Sequence, residues 1–230
     1  MELTILMPCL NEAGTLAACI AEAMQYLSVC GCTGEVLICD NGCTDDSVAI
    51  ARRLGARVVL CPEPGYGNAL RCGMQQAKGR LIIMGDCDGS YDFLAIGEMH
   101  RLLREEADVV IGNRFASAPD PQAITLLHRV GVAALSWMGR VRFGCGVRDF
   151  HCGLRGIRAE ALNQLHFTCG GMEFATEMIA QAVCHDLTIA QTPVALRPDG
   201  RNGPSHLRVV RDGVRHLWYI LQTGRKKASK

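Results

Sequence analysis

The feature that most constrains this chain is a set of five short apolar runs separated by helical patterns: LTILMP from Leu3, EVLICD from Glu35, ARVVLC from Ala56, RLIIMGD from Arg80 and ADVVIG from Ala107. Their apolarity is continuous rather than alternating, so both faces of each strand must be covered. Between them lie periodic or alanine-rich stretches, among them GTLAACIAEAMQYL, DDSVAIARRL, GNALRCGMQQA and LAIGEMHRLLREE. Strand and helix in alternation predict an α/β fold, a Rossmann-like mainly parallel sheet flanked by helices. With 49% of 230 residues apolar, the chain is long enough for one sizeable core, and a single domain is expected.

In such sheets ligands gather outside the carboxyl ends of the strands. Those ends carry the segments Pro8 to Glu12, Asp40 to Asp45 and Asp86 to Asp92. No G-x-G-x-x-G follows the first strand and no G-x-x-x-x-G-K-[ST] occurs, which removes the main support for dinucleotide and P-loop readings. The glycine pair in GYGNA, from Gly65, is a weak signal that reads first as a tight turn. More informative is IIMGDCDGSYD, where a strand runs into Asp86, Asp88 and Asp92. A turn needs one Asp or Ser as a cap, whereas two acids one residue apart place oxygen ligands on an octahedral Mg²⁺ or Mn²⁺ and leave positions for phosphates.

A formal net charge of +1 argues against a general nucleic-acid partner. The thirteen cysteines would fit a secreted disulfide scaffold, but the chain opens on a strand without a leader pattern, so a reducing cytoplasm is the expectation. Cys39, Cys61 and Cys72 sit in or beside apolar runs and read as small core residues. Cys30 and Cys32 form the closest pair and no C-x-x-C appears, so no structural metal site is expected. The longest helical apolar run, VGVAALSWMG from Val130, is bounded by Arg129 and Arg140 and is too short to cross a bilayer. In the second half, NRFASAPDPQA and RPDGRNGPSHLR read as loops, ITLLHRVGVAALSWMGRVRF and GGMEFATEMIAQAV as helices and LTIAQTPVAL as a strand; GVRDFHCGLRG is a charged, glycine-rich segment.

Six blocks, ILMPCLNEAGTL, LICDNGCTDDS, GYGNALRCGMQQAKGRLIIMGDCDGSYDF, DVVIGNR, RDFHCGLRGIR and GMEFATEM, occur in the order found in family 2 glycosyltransferases of the GT-A fold. The chain resembles most the polyprenyl-phosphate (dolichol-phosphate) hexosyltransferase branch, from Leu3 to about Leu221. The resemblance implies that Pro8, Asn11, Glu12 and Asp40 hold the donor nucleoside, with Asp45 near that wall. Asp86 and Asp88 would meet the metal and the donor diphosphate. It further places Arg114 and Arg129 toward phosphates, Asp149, Gly153 and Arg155 beneath the sugar, and Glu173 and Glu177 in an acidic helix. Three positions depart from the family pattern: Asn41 stands where a second Asp is usual, Cys43 where Ser is usual, and Ser90 where dolichol-type members carry Gln. Many relatives also continue into transmembrane helices.

The reaction so implied is inverting transfer of a hexose from a UDP- or GDP-hexose, with residues 1–112 as the donor half and 113–206 as the acceptor half. A polyprenyl (lipid) phosphate acceptor needs no protein base; an alcohol or other small-molecule acceptor does, and Asp149, His151 and Glu173 are the candidates. The blander readings are first-turn charge for Glu12, turn formation for Asp40 and Asp45, solvated cations for Arg114 and Arg129, a structural hydrogen bond for His151 and a helix-face charge for Glu177. A nucleotide-sugar-binding protein and a sugar-1-phosphate nucleotidyltransferase are the alternatives, although the latter's glycine-rich basic loop is missing from PCLNEAG. Residues 207–230 read as an amphipathic helix with a basic tail. Leu207, Val210, Val214, Leu217 and Leu221 form its apolar stripe, and Arg208, Arg211 and Arg215 its basic one. That stripe would pack on the domain or, with Trp218, Tyr219 and Arg225, Lys226 and Lys227 at the headgroups, hold the protein peripherally at the inner face of a membrane.

Overall fold

A computed structural model describes residues 1–116, 126–200 and 208–223. The strands are β1 (Leu3–Cys9), β2 (Gly34–Asp40), β3 (Arg57–Leu60), β4 (Leu81–Met84), β5 (Val109–Asn113), β6 (Arg155–Arg158) and β7 (Ile189–Pro193). They form one sheet in the order β3-β2-β1-β4-β6-β5-β7. β1 pairs parallel with β2 and β4, β2 with β3, and β5 with β7; β6 alone runs antiparallel, between β4 and β5. The five runs read from the sequence are β1 to β5, and LTIAQTPVAL supplies β7. No apolar run announces β6: its four residues, RGIR, include two arginines and a glycine.

Eight helices are described: α1 (Leu16–Cys30), α2 (Ser47–Arg53), α3 (Tyr66–Gln76), α4 (Gly97–Glu105), α5 (Leu126–Phe143), α6 (Ala159–Leu162), α7 (Phe174–Cys184) and α8 (Val209–Gln222). Successive strand residues enter opposite layers. Leu3, Ile5 and Met7 pack with Leu16, Ile20, Met99 and Leu103 of α1 and α4. Leu6 and Leu37 pack with Leu70, Met74, Phe174 and Met178 of α3 and α7. Both layers are closed, which is why the strands are apolar along their whole length.

Reversal of β6 has a direct effect on the site. The other strands deliver their carboxyl ends to the ligand edge, and β6 delivers the segment that enters it, residues 149–154, to the same edge. Glycine admits a second close approach there: a Cβ at Gly67 would overlap the Cys169 carbonyl, so the GYG turn lets the 169–171 loop lie against α3.

Two expectations need correction. Cys61 and Cys72, read as reduced core residues, are joined in a disulfide with Cα atoms 5.9 Å apart. The apolar stripe of α8 does not pack on the domain: Val210, Val214 and Leu221 are exposed, as is Trp218. The buried side of α8 is Asp212, His216 and Ile220, because His216 finds Thr176 Oγ1 at 2.8 Å and Asp212 Oδ2 accepts the Arg208 N–H at 2.8 Å. Leu207, Arg225, Lys226, Lys227 and most of the two expected loops lie outside the described residues. No helix among the described residues is long and apolar enough to cross a membrane.

Candidate active site

The loop after β1 is fastened to the loop after β2. Asn11 adopts φ 56°, a left-handed conformation that Asn tolerates better than most residues. Its Oδ1 accepts from the Thr44 and Asp45 N–H groups at 2.8 and 3.3 Å. Glu12 is buried and its N–H reaches Ser47 Oγ at 2.9 Å. Asp45 accepts from the Ala13 and Ser47 N–H groups, both at 3.0 Å. Burial alone would raise the Asp45 pKa, but these hydrogen bonds outweigh it and the carboxyl sits below its usual value. Asp40 Oδ1 holds the Gly42 and Cys43 N–H groups at 3.1 and 2.8 Å. Pro8 contributes its carbonyl, which accepts from Cys87 Sγ at 3.1 Å.

Asn41 shows what its departure from the family pattern accomplishes. Its Nδ2 donates to the Cys61 and Glu63 carbonyls at 3.0 and 2.7 Å, and its Oδ1 accepts from Gly65 N–H at 2.8 Å. An Asp could not make the two donor contacts.

At the end of β4, Asp88 is buried and its Oδ1 accepts from Ser90 N–H at 3.0 Å and Ser90 Oγ at 2.5 Å. Ser90 therefore orients the second Asp of the pair, within the protein. The Asp88 and Ser90 carbonyls accept from Gly200 and Arg197 N–H at 3.0 and 2.9 Å, drawing the segment after β7 over this turn. Asp86 hydrogen-bonds Tyr66, whose phenol pKa is pushed well up by burial and then by Asp86 itself, so it stays a donor. A Cβ on Gly153 would overlap Asp86 Oδ2, and Gly153 N–H donates to Tyr91 Oη at 2.7 Å. The Gly153 backbone is thus the floor beneath Asp86. An all-oxygen pair oriented in this way suits a hard divalent cation.

Arg114 and Asp149, taken separately from the sequence, form one buried pair. Arg114 Nε and Nη2 reach Asp149 Oδ2 and Oδ1 at 2.7 and 2.9 Å, a bidentate fork. Burial disfavours the Asp149 anion, but Arg114 more than offsets this and holds the carboxyl below its ordinary range. Arg155, fully buried, donates to the Cys152, Phe150 and Ala175 carbonyls at 2.6, 2.6 and 2.5 Å and ties the 150–152 turn to α7. Glu173 Oε1 accepts from Arg215 Nη2 at 2.5 Å, while its buried Oε2 has no hydrogen-bond partner. Glu177 is structural: its two oxygens take up the Thr168 N–H and Oγ1, both at 2.8 Å, and the Cys169 N–H at 2.9 Å. His151 meets His216 edge to face, ring centroids 4.3 Å apart. Arg129 is exposed in the first turn of α5 and takes no part in these hydrogen bonds.

Tyr66, Tyr91, Thr176, Arg215 and His216 escape a reading by sequence motif. Only the four-residue spacing of Asp212, His216 and Ile220 signals that α8 turns a polar side inward.

The sheet order with its single reversed strand is that of the GT-A fold. The chain belongs to glycosyl transferase family 2, whose profile matches residues 4–166. It is 35% identical over 221 residues to a low-salt glycan biosynthesis hexosyltransferase of Haloferax volcanii, covering 95% of this chain and 53% of that protein. The chain therefore spans about half the length of this relative. A dolichyl-phosphate hexose transferase of the same organism is 25% identical over 196 residues, 85% of this chain and 83% of the relative. Among solved structures, glucosyl-3-phosphoglycerate synthase of Mycobacterium tuberculosis with Mn²⁺, UDP and phosphoglyceric acid shares the fold at a TM-score of 0.75 and 22% identity, covering 100% of this chain and 80% of that one.

Proposed function

We propose that the chain moves a hexose from a UDP- or GDP-hexose to a polyprenyl phosphate, with inversion at the anomeric carbon. The observation that carries the choice of acceptor is the state of the two candidate carboxylate bases. Asp149 is locked in the Arg114 fork and Glu173 is paired with Arg215. Asp149, held below its usual pKa by Arg114, is a weak proton acceptor for an alcohol. A phosphate monoester needs none, since its second pKa is about 6 and it is largely dianionic at neutral pH. The relatives named as dolichyl-phosphate hexose and glucosyl transferases support the same acceptor.

In this reading residues 1–112 carry the donor, with Pro8, Asn11, Glu12, Asp40 and Asp45 along the nucleoside wall. Asp86 and Asp88 would hold one Mg²⁺ or Mn²⁺, which supplies charge neutralisation for the departing nucleoside diphosphate. Ser90, Tyr66 and the Gly153 floor keep the two carboxylates in register for that purpose. Residues 113–206 form the acceptor side, where Arg114 orients Asp149 under the sugar and the exposed Arg129 is offered to an incoming phosphate.

The outer face of the acceptor half supports contact with a lipid surface on the cytoplasmic side. α5 exposes Val130, Trp137 and Val141, and α8, packed beside it, exposes Val210, Val214, Trp218 and Leu221. Apolar residues with tryptophans, next to arginines and followed by the sequence GRKK, match an interfacial anchor for an anionic leaflet.

A donor screen tests the proposal: release of nucleoside diphosphate is measured with Mg²⁺ or Mn²⁺ and either a polyprenyl phosphate in anionic vesicles or a water-soluble phosphorylated acceptor. Release that depends on the lipid acceptor supports the reading. Release with the soluble acceptor alone keeps the transferase and overturns the lipid; pyrophosphate release identifies a nucleotidyltransferase; no release at all leaves a binding protein.

A further inference from the structure

A second cluster of ligating atoms lies at the opposite edge of the sheet from Asp86 and Asp88. α1 ends at Cys30, and Gly31 caps it in the left-handed conformation, φ 66° and ψ 12°. This turn, which a side chain would strain, brings Cys32 back toward Cys30, and the two Sγ atoms are 2.8 Å apart. α4 adds His100 from across the α1–α4 layer. One ring nitrogen of His100 and the two sulfurs all lie within 4.8 Å of one another.

The surroundings of His100 complete the picture. Its Nε2 is 3.3 Å from Glu2 Oε1 and its Nδ1 is 2.9 Å from Tyr26 Oη. Tyr26 and Glu2 fix the orientation of the His100 ring, one at each nitrogen. Two thiolates with bonds of about 2.3 Å to one tetrahedral ion sit roughly 3.8 Å apart, so the sulfurs must part by about 1 Å as the ion enters, a movement open to the exposed Cys30. His100 is buried, Cys32 is half-buried and Cys30 is exposed, so the group has both an anchored side and an open one.

We propose that Cys30, Cys32 and His100 form a three-residue site for a thiophilic divalent cation of the Zn²⁺ class, which pins the end of α1 to α4. Two thiolates and an imidazole select Zn²⁺ over the Mg²⁺ or Mn²⁺ suited to paired aspartates. The spacing C-x-C argues against zinc when read alone; the third ligand, His100, comes from another helix and only folding supplies it. On binding, two thiol protons leave as the Zn–S bonds form, so uptake releases acid. The site is independent of the transfer reaction and does not rest on the choice of acceptor.

The test uses the full chain, reduced and stripped of metal, in excess Mg²⁺ so that carboxylate sites are filled. Zn²⁺ titration is followed by competition with a chromophoric chelator, by proton release and by melting temperature, and Co²⁺ is used as a spectroscopic probe. Wild type is expected to bind Zn²⁺ with proton release, to show a thiolate-to-Co²⁺ charge-transfer band, and to melt higher as Zn²⁺ is added. Cys30→Ser with Cys32→Ser removes the band and the thermal shift. His100→Gln weakens binding ~10- to 100-fold, and Tyr26→Phe about 10-fold. Cys30→Ser alone, at an exposed position, guards against a folding defect in the double variant. Equal Zn²⁺ binding and equal Co²⁺ spectra in wild type and Cys30→Ser overturn the site. So does a Cys30–Cys32 disulfide that persists in the reduced protein.

Discussion

The proposed donor edge and the proposed acceptor half solve the same problem, holding polar and charged groups at the mouth of a sheet, by different means. At the donor edge Asn11, Asp40, Asp45 and Asp88 each bind backbone N–H groups or a hydroxyl no more than a few dozen residues away. In the acceptor half charge meets charge instead: Arg114 with Asp149 and Glu173 with Arg215. Loops fastened by their own backbone tolerate removal of a side chain that faces the ligand. Buried ion pairs do not, because the surviving partner is left unpaired in a poor solvent. Function and stability should therefore separate at the first region and coincide at the second.

The largest effect is expected at Asp88. Asp88→Ala should reduce nucleoside diphosphate release by ~10³-fold or more, the scale of losing one electrostatic contact to the departing phosphates, with a melting temperature close to wild type. Parallel loss of activity and fold would erase the contrast between the regions. Next comes Arg114→Met, which leaves Asp149 uncompensated and should cost about 3–5 kcal/mol of stability in denaturant titration. Adding Asp149→Leu should recover much of that loss while activity stays absent; no recovery would mean that Arg114 acts on its own.

A pH measurement sharpens the same point. His216 is buried between Thr176 and Glu173, and burial, with Arg155 second, lowers its pKa from 6.5 to about 4. The unfolded chain thus takes up this proton first as pH falls. Its contribution is complete above pH ~6.5 and lost progressively down to about 4, on the order of 2–3 kcal/mol. His216→Gln should flatten the decline in melting temperature between pH 7 and 5. Asp149, depressed below its ordinary value, adds stability that disappears only at still lower pH. The smallest effect on stability is expected on α8, where Trp218→Ser should change unfolding by no more than about 0.5 kcal/mol yet reduce salt-sensitive sedimentation with anionic vesicles. A large destabilisation there would mean that this face packs against the chain.

The same contrast governs what the sequence reveals. Strands β1 to β5 are legible because coverage on both faces leaves continuous apolar runs, and the acidic edge because its residues follow those runs within a few positions. β6 is not, since four residues with two arginines and a glycine carry no periodic signal, and its place depends on pairing with β4 and β5. The fork between Arg114 and Asp149 joins residues that each look available by themselves. For α8 the stripe of Val210, Val214 and Leu221 gives the helix correctly and its orientation wrongly. His216 has a partner waiting in Thr176, and a satisfied polar side won over an apolar one. Cys61 and Cys72 read as core residues because nothing local says that β3 and α3 bring them together.

The reversed β6 also bears on how such an enzyme diverges. Chain leaving β5 at Asn113 and chain entering β6 at Arg155 stand at the same edge, side by side in the sheet. Everything between them is an excursion that departs from and returns to one place, so it can lengthen, shorten or be exchanged without altering strand order or moving β1, β2 and β4. On the proposed function, acceptor choice can be rewritten within this excursion as long as the Gly153 floor beneath Asp86 is kept.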